Sequence, residues 1–213
     1  MNFFNLSVQE FLNKIDSPNP TPGGGSVSAA AIAYGIGLLR MVAHITMPKK
    51  KFQGLNESVK ADYRVRLLKL EEYKKEAIAL VDLDSAAFDK IMAAYRLDKN
   101  TEEEIARRND AIKEATVAAT EVPLRTARIG LSALETAFPM FSYASKSALS
   151  DFGVGVLLLE AGIKGAVMNV KTNLLDFSEQ SFKETCHKEC ARILESSSKI
   201  VASVLTNLDK VFG

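Results

Sequence analysis

Two aspartates lead the residues able to do chemistry. Asp84 and Asp151 each sit beside apolar residues, Phe88 in one case and Phe152 with Val154 in the other. A carboxyl in such company can carry a proton, whereas its plainer role is to cap a helix or lie on a solvated face. Asn169 and Asn173 are four apart and share a helical face, so their amides can meet a ligand or tie helices together. Lys49, Lys50 and Lys51 form the densest cationic cluster, a point-charge site for carboxylates or a solvated turn. Arg96 can grip a carboxylate as a planar fork or end its helix against the dipole.

The stretch Ser17 to Ser28, SPNPTPGGGSVS, stiffens the chain with three prolines and then gives up side chains at Gly23, Gly24 and Gly25. A phosphate loop of the Walker type would need a lysine here and a preceding strand; both are missing, as are the spaced glycines of a dinucleotide fingerprint. Two readings stay open: a tight turn with Ser26 capping a helix, or bare backbone and free N–H groups that hold a polar or anionic ligand group. Cys186 and Cys190, one helical turn apart with His187 between, lack the further cysteine of a tetrahedral site and read as two reduced thiols with no metal. His44, on an Ala- and Gly-rich helix, reads as a packed residue.

These residues need a scaffold, and the scaffold reads as helix throughout. The chain has 213 residues, 47% hydrophobic content and a formal net charge of +1, which suits a single domain, 1–213, with one core and no nucleic-acid footprint. No signal peptide is visible. The weakly polar run from Val27 to Thr46 contains Arg40 and His44 and suits a buried helix better than a membrane span, so a cytoplasmic protein is expected.

Ser7-Val-Gln-Glu10 is a capping box for a short helix to about Asp16. A second helix is expected from near Ser26 to before Pro48. Apolar spacings of three and four predict one long helix, or two in line, from Leu55 to about Leu97. Thr101-Glu-Glu-Glu104 opens another, with Pro123 as an expected kink and an end by Pro139. Helices over about Ser150–Asp176 and Ser178–Val211 complete an all-α, up-and-down bundle.

Pro20-Thr-Pro-Gly-Gly-Gly-Ser-Val-Ser-Ala29 closely resembles the signature of the cyclodeaminase/cyclohydrolase family of folate enzymes. That family includes the C-terminal domain of formiminotransferase-cyclodeaminase and stand-alone bacterial methenyltetrahydrofolate cyclohydrolases. Further blocks are similar in order along the chain: Met41-Val42 with TMPKKKF (Thr46–Phe52), DLDSAAFDKIMAAYR (Asp82–Arg96), Glu121-Val-Pro-Leu124, and Ser150-Asp151 with Asn169-Val170 and Asn173. Pro48 departs from the pattern, standing where a small residue is expected. The length matches the stand-alone bacterial form.

The resemblance implies an all-α homodimer with folate in a groove near the subunit interface and no metal or organic cofactor. It implies conversion of 5-formimidoyl-tetrahydrofolate to 5,10-methenyl-tetrahydrofolate and ammonia, with hydrolysis of 5,10-methenyl-tetrahydrofolate to 10-formyl-tetrahydrofolate as the alternative. Asp84 and Asp151 become the catalytic candidates. Gly23, Gly24, Gly25 and Ser26 become the binding loop, Asn169 and Asn173 the readers of the pterin edge, and Lys49, Lys50 and Arg96 candidates for the carboxylates of a substrate with or without a polyglutamate tail. The rival class is a non-enzymatic dimeric helical interaction module, which the bundle pattern alone would also fit. No membrane or nucleic-acid partner is expected.

Overall fold

The computed structural model describes residues 3–213. Seven α-helices follow one another: α1 (Val8–Ile15), α2 (Gly24–Thr46), α3 (Lys50–Gln53), α4 (Glu57–Tyr95), α5 (Glu102–Ala137), α6 (Leu149–Asn173) and α7 (Gln180–Phe212), with no strand among the described residues. Both expected capping boxes are present, Ser7 with Glu10 and Thr101 with Glu104. Each satisfies orphan donors at a helix start, an effect of about 1 kcal/mol.

Long helices run alternately up and down. Arg40 of α2 meets Glu71 of α4 at 2.8 Å, Arg125 of α5 pairs with Glu76 of α4, and Ser198 of α7 lies against Glu160 of α6. The fully buried side chains Ile32, Ile36, Leu70, Leu80, Leu134, Leu159, Ile163 and Ile193 fill the space between them. Each contributes roughly 1.5–3 kcal/mol of burial.

α2 and α6 are the central antiparallel pair. A side chain at Gly35 would meet the carbonyl of Gly155 at 2.7 Å, and one at Gly162 would meet the carbonyl of Ser28 at 2.7 Å, so glycine is what lets these backbones touch. Both helices are long and apolar enough to cross a membrane by length and composition, yet 61% and 50% of those stretches lie buried in the bundle.

Two details depart from the sequence expectation, the start of α2 and the short α3, while the single α4 and the proline inside α5 lie within it. α2 begins at Gly24 rather than near Ser26, with Gly23 as its cap residue, so Ser26 is an interior residue, fully buried. The short α3 follows Pro48, and α4 is one uninterrupted helix of 39 residues. Pro123 lies inside a continuous α5. Proline removes the donor for the carbonyl four residues back, that of Ala119, and Asn173 Nδ2 of α6 donates to that carbonyl at 3.0 Å.

Candidate active site

The N-terminus of α2 stops short of its neighbours. At its first turn, Gly25 lies against Asp84 of α4 so closely that a Cβ would come within 2.0 Å of Oδ1, and a Cβ at Gly24 would lie 3.3 Å from Nδ2 of Asn169 in α6. The three consecutive glycines therefore allow two flanking helices to aim side chains at the start of a third. The first N–H groups and positive dipole end of α2 face this spot, and the Ser26 N–H donates to the Asp84 carboxyl.

One turn beyond Asp84 and Asn169 on their own helices are Phe88 and Asn173. Both line a cleft of about 470 Å³ shared by α4, α5 and the end of α6. Phe88, Tyr95 and Phe177 supply flat apolar wall; Asn109, Asn173 and Lys113 supply polar groups. Asn169 Nδ2 donates to the Gly165 carbonyl at 2.9 Å, as Asn173 Nδ2 does to Ala119. Each amide thus spends one N–H on backbone and keeps its second N–H and its carbonyl oxygen for a ligand.

Asp84 is half-buried, and burial pushes its carboxyl above the usual aspartate value, outweighing the downward pull of Ser26. Ser26 Oγ is 2.8 Å from the Val81 carbonyl, 3.1 Å from Asp84 Oδ2 and 3.1 Å from Ser85 Oγ. A carboxyl raised in this way keeps its proton to higher pH than an exposed aspartate, and can give a proton as an acid and take one as a base.

The structure brings together Gly23, Gly24, Gly25, Ser26, Asp84, Asn169 and Asn173. Arg96, exposed, is the cap residue of α4 next to Tyr95, at the outer end of the cleft. It does not bring in Asp151, Lys49 or Lys50. Asp151 is in the first turn of α6, 18 residues before Asn169, which is roughly 27 Å along the axis. Lys49 and Lys50, both exposed, lie beyond the opposite end of α2, roughly 35 Å from Ser26. Within one chain, neither Asp151 nor these lysines reach the atoms that Asp84 reaches.

Sequence reading passed over Ser85, Tyr95, Asn109, Lys113 and Phe177. Ser85 carried a signal, since it directly follows Asp84. Lys113 is held to Glu179 at 2.9 Å, and its place depends on how α5 packs. Arg108 is also used locally: it stacks over the Tyr95 ring at 5.4 Å and donates to the Tyr95 carbonyl. Cys186 and Cys190 are buried and unpaired, and burial lifts both thiols, Cys190 to about 11, which makes them poor nucleophiles. His44 is exposed rather than packed.

Residues 7–192 match the family described as formiminotransferase-cyclodeaminase. Methenyltetrahydrofolate cyclohydrolase of Methylorubrum extorquens is 35% identical over 196 residues, covering 92% of each chain. Formimidoyltransferase-cyclodeaminase of Mus musculus is 34% identical over 205 residues, covering 95% of this chain but 37% of that one, so this chain spans little more than a third of that relative's length. Among solved structures, formiminotetrahydrofolate cyclodeaminase from Thermotoga maritima superposes with a TM-score of 0.86 at 25% identity over 99% of both chains. With that match across most of its length, the chain belongs to the formiminotransferase-cyclodeaminase family.

Proposed function

We propose that this protein is a folate one-carbon enzyme that converts 5-formimidoyl-tetrahydrofolate to 5,10-methenyl-tetrahydrofolate and ammonia. The observation that carries the reading is a half-buried Asp84, its carboxyl raised by burial, one helical turn from an aromatic- and amide-walled cleft in a chain of this family. In the reaction N10 attacks the protonated amidine carbon on N5. The carbon–amine bond then breaks with its electron pair on nitrogen, and the hydrogen that N10 sheds balances the one that leaves with ammonia. A single carboxyl beside the carbon can give the first proton and take the second. Phe88 and Tyr95 suit the flat rings, Asn169 and Asn173 the N–H edge of the pterin, Gly23 to Ser26 a close backbone floor, and Arg96 with Lys113 the terminal carboxylates. Acid–base groups suffice for these bond changes, so no metal or organic cofactor is part of the proposal, and the enzyme is placed in the cytoplasm with its substrate.

A second reading is hydrolysis of 5,10-methenyl-tetrahydrofolate to 10-formyl-tetrahydrofolate, favoured by the Methylorubrum extorquens relative of matching extent. Adding each folate separately and following the methenyl chromophore tests both. Appearance from the formimidoyl compound supports the first reading, decay of the methenyl compound above the buffer rate supports the second, and neither change refutes both.

The working unit in this proposal is a homodimer. Val27, Ala31, Tyr34, Leu38, Met41 and Ile45 recur at alternating spacings of four and three along α2, all half-buried or exposed, and Val154, Leu157 and Met168 continue the apolar face on α6. A seam of this spacing suits another helical surface. Two copies packed antiparallel about a two-fold across it would set the Asp151 and Lys49–Lys50 end of one copy beside the Asn169 end of the other.

A further inference from the structure

Ser28 and Asn169 make the same bond on facing helices. Each side chain donates to the carbonyl four residues back on its own helix, Ser28 Oγ to Gly24 at 2.6 Å on α2 and Asn169 Nδ2 to Gly165 at 2.9 Å on α6. A helical carbonyl already accepts the backbone N–H four residues on, and its second lone pair takes the side chain. Both carbonyls are thereby filled.

The two bonds also meet across the helix contact. A Cβ at Gly165 would come within 2.4 Å of Ser28 Oγ, and one at Gly24 would lie 3.3 Å from Asn169 Nδ2. Gly24, Ser28, Gly165 and Asn169 therefore close a ring between α2 and α6, in which each side chain rests against the other helix's glycine. Ser28 is buried inside this ring, whereas Asn169 is half-buried beside the start of α2. An amide in that place has two backbone carbonyls within its reach. It stays with Gly165 because Ser28 has taken Gly24.

We infer that Ser28 is a positioning residue that acts through Asn169. By occupying the Gly24 carbonyl it keeps Asn169 Nδ2 on Gly165, which leaves the second N–H and the carbonyl oxygen of that amide free for a ligand. The inference rests on the proposed folate reading only for what that ligand is. There Asn169 meets the donor and acceptor edge of the pterin, so an amide drawn onto Gly24 weakens binding. Asp84, held by Ser26 instead, keeps its place for the chemical step.

The first test needs no substrate. In a crystal structure of Ser28→Ala, Asn169 Nδ2 should have moved from the Gly165 carbonyl to that of Gly24; an amide still on Gly165 overturns the inference, whatever the folate assays give. The second test is kinetic. With whichever folate the protein turns over, Ser28→Ala should raise KM about fivefold, the worth of one ordinary hydrogen bond, with a smaller change in kcat, and Ser28→Thr, which keeps the hydroxyl, should restore KM. In an Asn169→Ala background the same Ser28→Ala change should leave KM where it is. An unchanged KM in the single variant, or an equal rise in both backgrounds, would mean that Ser28 does not act through Asn169 and would overturn the inference. Should Ser28→Ala fail to fold, Asn169→Ala decides, because a KM unmoved by it leaves Ser28 nothing to position. If neither folate is turned over, the folate reading falls and the crystal structure still decides the inference.

Discussion

Asn173 supplies the hydrogen bond that Pro123 cannot make. The Ala119 carbonyl, deprived of its helical donor by the proline, receives Asn173 Nδ2 at 3.0 Å from the neighbouring helix. One residue is thereby both a structural tie between α5 and α6 and part of the wall of the cleft.

This relationship predicts a specific non-additivity. Asn173→Ala should destabilise the fold by about 1–3 kcal/mol by orphaning the Ala119 carbonyl. Pro123→Ala supplies a backbone N–H in its place, so the double variant should lose less than the sum of the two single losses. Urea unfolding of the four proteins in the cycle measures the coupling, and simple additivity would refute the tie.

At Gly25 there is no space for a methyl group beside Asp84. Gly25→Ala should push the carboxyl off its position and lower kcat by about 100-fold or more, as expected when an acid–base group is misplaced. The protein should remain folded, with a loss of about 1–3 kcal/mol from overpacking. Steady-state kinetics beside a thermal melt separates the two effects, and unchanged kcat would remove Asp84 from the reacting site.

Asp84 should cost the wild-type protein stability at neutral pH. Its carboxyl is raised by burial, so the folded chain keeps a proton that the unfolded chain has already released. Stability therefore falls as pH rises from about 4 through the raised value, then levels off. Asp84→Asn should lack this fall, while kcat drops by about 100- to 10,000-fold. Unfolding free energies across that pH range check the first expectation, and parallel slopes for both proteins would contradict it.

The proposed two-fold dimer makes a quantitative prediction. If each site combines Asp84 of one copy with Asp151 of the other, inactive Asp84→Asn and Asp151→Asn proteins, unfolded and refolded together in equal amounts, should recover about a quarter of wild-type activity. Half the dimers are then mixed and each mixed dimer has one intact site. No recovery in a preparation shown by light scattering to be dimeric would assign Asp151 elsewhere.

Phe88 should act on binding rather than on the chemical step. It lines the cleft one turn from Asp84, so Phe88→Ala should raise KM for the folate about tenfold with a smaller change in kcat, a loss typical of an aromatic contact. A kcat effect of the same size would place Phe88 against the reacting atoms instead.

Much of this was legible in the sequence because it depends on local chemistry. Capping boxes at Ser7 and Thr101 act over one turn, and apolar spacing in α4 follows from a helical face meeting a core. The importance of Gly23 to Gly25 was legible too, but not its cause, since the partners that need the space, Asp84 and Asn169, are 59 and 145 positions from Gly25 and Gly24 respectively. Ser26 was misread for a related reason. A serine after glycines has the local signature of a cap, and only the approach of α4 turns it into a buried hydroxyl facing Val81 and Asp84. Asp151 and the lysines show a further limit, because sequence order says nothing about which end of a bundle a residue occupies. The cleft itself lies between three helices and has no local signature.

The contact of bare backbones at Gly35 and Gly155 works as a ruler for the distant candidate site at Asp84 and Asn169. With no flexible side chain between them to absorb a shift, α2 and α6 have one permitted axial alignment, and that alignment sets where Gly24 stands against Asn169, roughly 16 Å away along α2. Gly35→Ala, which touches no substrate, should therefore behave as an activity variant, slowing turnover in proportion to how far it slides one helix along the other. Selection for a working carboxyl would then extend deep into the core, to positions whose whole contribution is to be small.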